Sequence, residues 1–354
     1  MSKLSRHKHA LLHDGTFIPA HPLALDSHRQ LDEFRQRRLT RYYMASGTGG
    51  IAVGVHSTQF AIRDPQIGLL EPVLSLAADE VKKAGVASTY LLIAGLCGPT
   101  EQAVKEAELA LKYGYDMGLL SMGGLQGWTE EQILDRTRAV AQVIPVLGFY
   151  LQPSVGGRIF SYGFWKEFAE IPGVEAIKAA PFNRYQTLDV VRAVAHSNRR
   201  DDVALYTGND DNIVADLLTT YTFDVDGGQV RKGFVGGLLG HWAVWTQASI
   251  RLLAAIKAAK KSGSIDYDHF LAINAKVTDM NAAIFDPAHH FHGCIPGIHE
   301  VLRRQGLLEG IWCLDENEAL SPGQADEISR VARAYPELTD DDFVRDFLAT
   351  DQVS

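Results

Sequence analysis

Two residues invite chemistry. Lys178 lies near the end of the apolar run Gly173-Val-Glu-Ala-Ile-Lys-Ala-Ala180, and Tyr150 closes another, Pro145-Val-Leu-Gly-Phe-Tyr150, twenty-eight residues earlier. Both runs read as buried strands. A lysine among apolar neighbours loses hydration of its charged form, so its pKa falls from about 10.4 and more free amine is present at neutral pH. A free amine attacks a carbonyl carbon and forms a Schiff base, which takes up the electrons of a C–C bond being made or broken. A phenol on the adjacent strand can pass the proton that this chemistry moves. The same residues also fit a plainer account, in which Lys178 snorkels or pairs with Glu175 and Tyr150 is a core tyrosine.

Other polar positions gather around this pair in the sequence. His56-Ser57-Thr58-Gln59 follows an apolar run, and its hydroxyls and backbone N–H groups suit a substrate carboxylate. Thr207-Gly-Asn-Asp-Asp211 is a polar turn in which Asn209 either binds substrate hydroxyls or caps a helix. Gly237, in a glycine-rich apolar stretch, is a further expected substrate contact. His289, His290, His292 and His299, with Cys294, raise the question of zinc, but their spacing matches no compact site.

These residues need a frame. Apolar strand candidates begin near 20, 51, 90, 117, 145, 174, 203 and 234, and helical patterns separate them. The usual step is about 30 residues, one strand–loop–helix unit, and eight such units predict a TIM (β/α)8 barrel, whose chemistry sits at the C-terminal ends of the strands. Residues 1–15 read as a polar lead-in, and Lys232–Leu239 as the eighth strand. Thr129 with Gln132 matches a capping box before the helix that ends near Ile144. From Trp242 onward the pattern is helical, so the expected division is a barrel over 16–261 and a C-terminal helical appendage over 262–354. Neither glycine-rich passage, 47–50 or 232–240, has the placement of a nucleotide-binding loop.

Composition narrows the class. The 354 residues are 46% hydrophobic and carry a formal charge of −9, which disfavours a broad nucleic-acid or anionic-membrane surface. Three widely spaced cysteines fit a reducing compartment. The N-terminal stretch offers no apolar signal-peptide core, and no apolar run approaches a membrane span. The expectation is a cytoplasmic protein.

Gly50-Ile-Ala-Val-Gly-Val-His-Ser-Thr-Gln59, Tyr150-Leu-Gln-Pro153 with Gly156-Gly157, and Ile177-Lys178 together resemble the dihydrodipicolinate synthase and N-acetylneuraminate lyase family. The resemblance runs in outline from about residue 16 to 335. It implies a class I aldolase, lyase or dehydratase acting on pyruvate or another 2-oxo acid. Lys178 would form the imine, Tyr150 would relay protons, and Ser57 with the backbone around Thr58 would hold the carboxylate; His56 would stand beside them. The family's Gly-Thr-Thr-Gly-Glu loop is here Val55-His-Ser-Thr-Gln59, and its second tyrosine after strand four has no counterpart in Ser121-Met-Gly-Gly-Leu125. A substrate pair other than that of the synthase is therefore expected.

The sequence thus predicts a Schiff-base enzyme without a cofactor or bound metal. Its partners are a small 2-oxo acid, an aldehyde co-substrate and further copies of itself, with no nucleic acid or membrane. Two alternatives stay open: a metal-assisted hydrolase built from the histidines, and a catalytically impaired 2-oxo acid binding protein.

Overall fold

Strands buried on both faces must be apolar throughout, and this chain supplies them. In the computed structural model, which describes residues 4–351, the strands are β1 (Phe17–Pro19), β2 (Gly50–Val53), β3 (Leu91–Leu96), β4 (Met117–Ser121), β5 (Val146–Leu151), β6 (Val174–Ala180), β7 (Ala204–Thr207), β8 (Tyr221–Val225), β9 (Gly228–Lys232) and β10 (Gly236–Leu239). Every residue of β3, β5 and β6 is buried. Eight strands form one sheet in the order β1-β10-β7-β6-β5-β4-β3-β2. A parallel bridge between Ala20 and Ala52 follows on from β1 and β2. This is a TIM-type barrel, and five helices from Thr246–Ser262 to Asp341–Thr350 follow its last strand.

The chain divides into two compact units, Leu91–Leu238 with the N-terminal segment through Thr16, and Phe17–Tyr90 with the segment from Leu239 onward. In the first unit β3 to β7 and β10 pair in parallel, and the helices Thr100–Lys112, Glu130–Val143, Tyr162–Glu170 and Arg184–Ala195, of 9 to 14 residues, separate β3 to β7. The capping box of Thr129 and Gln132 forms as expected, satisfying two helix-terminal N–H groups that would otherwise lack partners. In the second unit His21 organises the turn after β1. Its ring meets Thr40 Oγ1 at 2.9 Å and the Pro22 carbonyl at 2.8 Å, and full burial pushes its pKa down to about 4.

Two segments differ from the sequence expectation. The stretch expected as a polar lead-in is a helix, Arg6–Asp14. Ser5 caps it, Leu12 is buried, Lys8 meets Asp116 at 2.6 Å, and the Tyr206 hydroxyl donates to the Leu12 carbonyl at 2.8 Å. Only tertiary partners reveal it, because one apolar anchor leaves no periodic signal. The eighth barrel strand starts at Gly236, later than expected, because Gly228–Lys232 pairs antiparallel with Tyr221–Val225 instead. Asp226 and Gly227 both have positive φ at the tip (52° and 78°), the backbone of a tight hairpin turn. An Asp-Gly pair between alternating runs is the sequence signal for this hairpin, and it stands in plain view.

Candidate active site

The register of the sheet fixes what surrounds Lys178. Phe149 on β5 and Tyr206 on β7 stand level with it. The ammonium lies 4.2 Å from the centre of the Phe149 ring, a cation–π contact that offers it partial compensation for lost water. The lysine is only 7% exposed, and burial pushes its pKa from 10.5 down to about 8, with the Asp210 carboxylate pulling the other way. Desolvation therefore outweighs attraction to the one acid that opposes it. Free amine is accordingly more abundant near neutral pH than it is for an exposed lysine.

The loop after β7 is shaped around that side chain. At Gly208 a Cβ would lie 2.4 Å from Lys178 Cε, 3.0 Å from its Cγ and 2.8 Å from Ala180 Cβ, so the lysine stem occupies the space a side chain would need. Asn209 locks the loop in place. Its Oδ1 accepts from the Phe182 N–H at 3.1 Å, and its Nδ2 donates to Asp216 at 2.8 Å and Thr187 at 3.3 Å. With all three amide positions engaged and no exposure, Asn209 positions the loop that carries Asp210. Asp216 in turn accepts from Thr207 (2.7 Å), Asn212 (3.0 Å) and Arg184 (2.5 Å). Gly237 is buried on β10, level with Thr207, and its N–H donates to the Thr16 carbonyl at 3.4 Å.

Tyr150 occupies a different place. It pairs with Ala179, one position beyond Lys178, and alternation along the strand turns it to the other face. There its ring packs on Trp165 (5.0 Å between centroids) and Phe160 (6.0 Å), and its hydroxyl accepts from the Phe160 N–H at 3.5 Å. Burial raises its pKa. Gly148 confirms the side, because a Cβ on it would run into Phe168 of the same helix, Tyr162–Glu170, that carries Trp165. The fold thus brings Lys178, Phe149, Gly208 and Asp210 together and leaves the Tyr150 hydroxyl on the helix-facing side. No phenol stands in the loop after β4, where a Cβ on Gly123 would meet the Gly156 carbonyl at 2.6 Å.

In the second unit His56, Ser57 and Thr58 form one turn of 3-10 helix directly after β2. Thr58 Oγ1 donates to the His21 carbonyl at 2.6 Å and accepts from the N–H groups of Gly54 and Val55. Ser57 Oγ donates to the same carbonyl at 3.3 Å. His56 stands edge-on to Phe60, and the following Gln59 takes positive φ (68°) while its side chain accepts from the Leu314 N–H at 2.6 Å. The later histidines do not converge. His289 pairs with Asp286 at 2.5 Å, His290 and His292 are exposed, and His299 is buried with its pKa pushed down to about 4.

Sequence reasoning reached Lys178 but passed over Gly208, Phe149 and Asp210 as parts of its surroundings. Asp210 and Gly208 lay in the polar turn already singled out. Phe149 becomes visible only once the register is known.

No family model matches the chain. It is 26% identical over 204 residues to the N-acetylneuraminate lyase of Citrobacter koseri, across 57% of this chain and 64% of that protein. The chain thus spans less than two thirds of the curated relatives it matches. Among solved structures, the dihydrodipicolinate synthase of Oceanobacillus iheyensis superimposes with a TM-score of 0.71 at 16% identity, over 90% of this chain and 95% of that one. A prophage protein of the dihydrodipicolinic acid synthase family from E. coli K12, solved in complex with pyruvate, gives 0.70 at 15% identity over 92% and 98%. The chain is thus similar in sequence to N-acetylneuraminate lyases, and it shares its barrel fold with the dihydrodipicolinate synthases.

Proposed function

We propose that the chain is a Schiff-base-forming lyase or aldolase acting on pyruvate or another 2-oxo acid, with Lys178 as the nucleophile. The observation that carries this reading is a buried lysine at the C-terminal part of a barrel strand, where burial favours the free amine. The amine nitrogen adds to the C2 carbonyl carbon, and the carbinolamine loses its oxygen as water to leave the iminium. That iminium receives the electron pair of the C3–C4 bond as it breaks, or of a C3–H bond when a new C–C bond is to form. Asp210, whose carboxylate favours the charged form of Lys178, would favour the iminium in the same way. Family likeness supports Ser57 and Thr58 as holders of the substrate carboxylate, beside His56. Asn209 and Gly237 would contribute by shaping the loop and strand beside Lys178. Tyr150 serves as proton relay only if its ring leaves the Phe160–Trp165 face.

A second reading draws on that last point. With no phenol beside Lys178 on β5 or in the loop after β4, the chain would bind a 2-oxo acid covalently and turn it over poorly.

Intact-mass spectrometry after incubation with pyruvate and borohydride tests both. A reduced pyruvate adduct in the wild type that is lost in Lys178→Ala supports imine formation; a wild type that traps pyruvate but cleaves no 2-oxo acid substrate supports the second reading. Failure to trap pyruvate and a panel of larger 2-oxo acids overturns the aldolase proposal.

A further inference from the structure

The helix Arg6–Asp14 carries His9 and His13 one turn apart, so both imidazoles leave the same face. Their rings stack with centroids 4.3 Å apart and planes 25° from parallel. Opposite them on β6 is Glu175, 2% exposed, whose Oε2 lies 3.9 Å from His9 Nε2, beyond hydrogen-bond distance. One donor atom from each of the three residues lies within 4.8 Å of the other two. His13 Nε2 is buried and has no hydrogen-bond partner. A buried carboxylate and a buried ring nitrogen converge here without bonding each other, a costly arrangement unless something else satisfies them.

We propose that His9, His13 and Glu175 form a binding site for a divalent transition-metal ion of the zinc class, with water completing a tetrahedral set.

The donor types select the ion. Two imidazole nitrogens and one carboxylate oxygen suit zinc and its neighbours better than magnesium or calcium, which prefer all-oxygen shells. No hydrogen-bond partner competes for the lone pair of His13 Nε2. The Lys232 charge works against a cation here, and the Asp202 charge acts in the opposite sense. Metal bonds of about 2.0–2.2 Å bring neighbouring donors of a tetrahedron to roughly 3.3 Å, so the three groups must close slightly. His9 has the freedom to do so, with its side chain 37% exposed.

The site would tie the first helix to the strand that carries Lys178 three residues further on. That helix already has the Lys8–Asp116 ion pair and the Tyr206–Leu12 hydrogen bond, so the metal-free chain folds and the ion adds to its stability. The proposal does not depend on the imine chemistry.

The test uses the full chain without a histidine tag, stripped with a chelator and titrated calorimetrically with zinc. One equivalent should bind and raise the Tm. Cobalt(II) in its place should give the intense visible absorption of a four-coordinate ion. His9→Ala and Glu175→Gln should each weaken binding about tenfold or more, and His28→Ala, at an exposed histidine elsewhere, should not. Because His9 is half-exposed, its variant folds even if the buried Glu175 variant does not. Absence of a stoichiometric zinc event, or binding that His9→Ala leaves unchanged, overturns the proposal. Borohydride trapping on the same samples reports on Lys178 separately.

Discussion

Gly208 has no side chain where the stem of Lys178 runs: a Cβ there would stand 2.4 Å from the lysine Cε and 2.8 Å from Ala180 Cβ. Lysine placement and loop conformation are therefore one feature. Gly208→Ala should push the amine out of position and cost about 1–3 kcal/mol by overpacking. The check is paired: thermal melting for the stability loss, and borohydride trapping for a fall in imine yield at least as large. Wild-type trapping in the alanine variant would show that the amine has room the structure denies it.

The depressed Lys178 pKa sets a pH profile. Imine formation should rise with pH through about 8 and level off above it, as the free amine becomes the dominant form. Asp210→Asn removes the carboxylate that favours the ammonium, so the midpoint should move to lower pH. Initial trapping rates across pH 6 to 10, as an experimental range of roughly those limits, read both directly. A midpoint near the ordinary lysine value would refute the burial argument.

The same shift predicts a stability cost. Between about 8 and 10.5 the unfolded chain holds a proton on Lys178 that the folded chain has released, so stability contributed by this group rises with pH across that window. Below about 8 both states are protonated and the penalty for burying the charge is fully present. Lys178→Met should therefore raise stability at pH 7, by about 3 kcal/mol at most, while abolishing trapping. Denaturant unfolding of the two proteins at pH 7 and pH 10 should show the gain shrinking at the higher pH.

Tyr150→Phe removes a hydroxyl whose partner is the Phe160 N–H at 3.5 Å, on the face away from Lys178. Imine trapping should survive, and stability should fall by no more than about 1 kcal/mol. A large loss of trapping without loss of stability would mean that the phenol swings to the lysine during reaction.

Asp216 draws Thr207, Asn209, Asn212 and Arg184 to one buried carboxylate. Asp216→Ala leaves the buried Thr207 hydroxyl and Asn209 amide without that acceptor and should cost about 2–3 kcal/mol. It should also lower imine yield, because Asn209 no longer holds the turn between Gly208 and Asp210. Denaturant unfolding gives the first effect, and trapping at a temperature where the variant is folded gives the second.

What the sequence determined by itself was the barrel and its lysine. Apolar runs at a nearly regular step, each closed by a polar turn, leave few ways to bury eight strands, and a lysine inside one such run is chemically conspicuous. Local rules also fixed the Thr129 cap and, in the Asp226-Gly227 pair, the hairpin that strand spacing alone leaves unassigned. Tertiary structure decided the rest. A shift of one residue in sheet register separates Phe149, which meets the ammonium, from Tyr150, which faces Trp165, and sequence spacing cannot distinguish them because alternation has a period of only two. The first helix depends on partners at Asp116 and Tyr206, more than a hundred residues away in the chain. The meeting of His9 and His13 with Glu175 is likewise a product of folding, since no local pattern relates a helix before the first strand to the interior of the sixth.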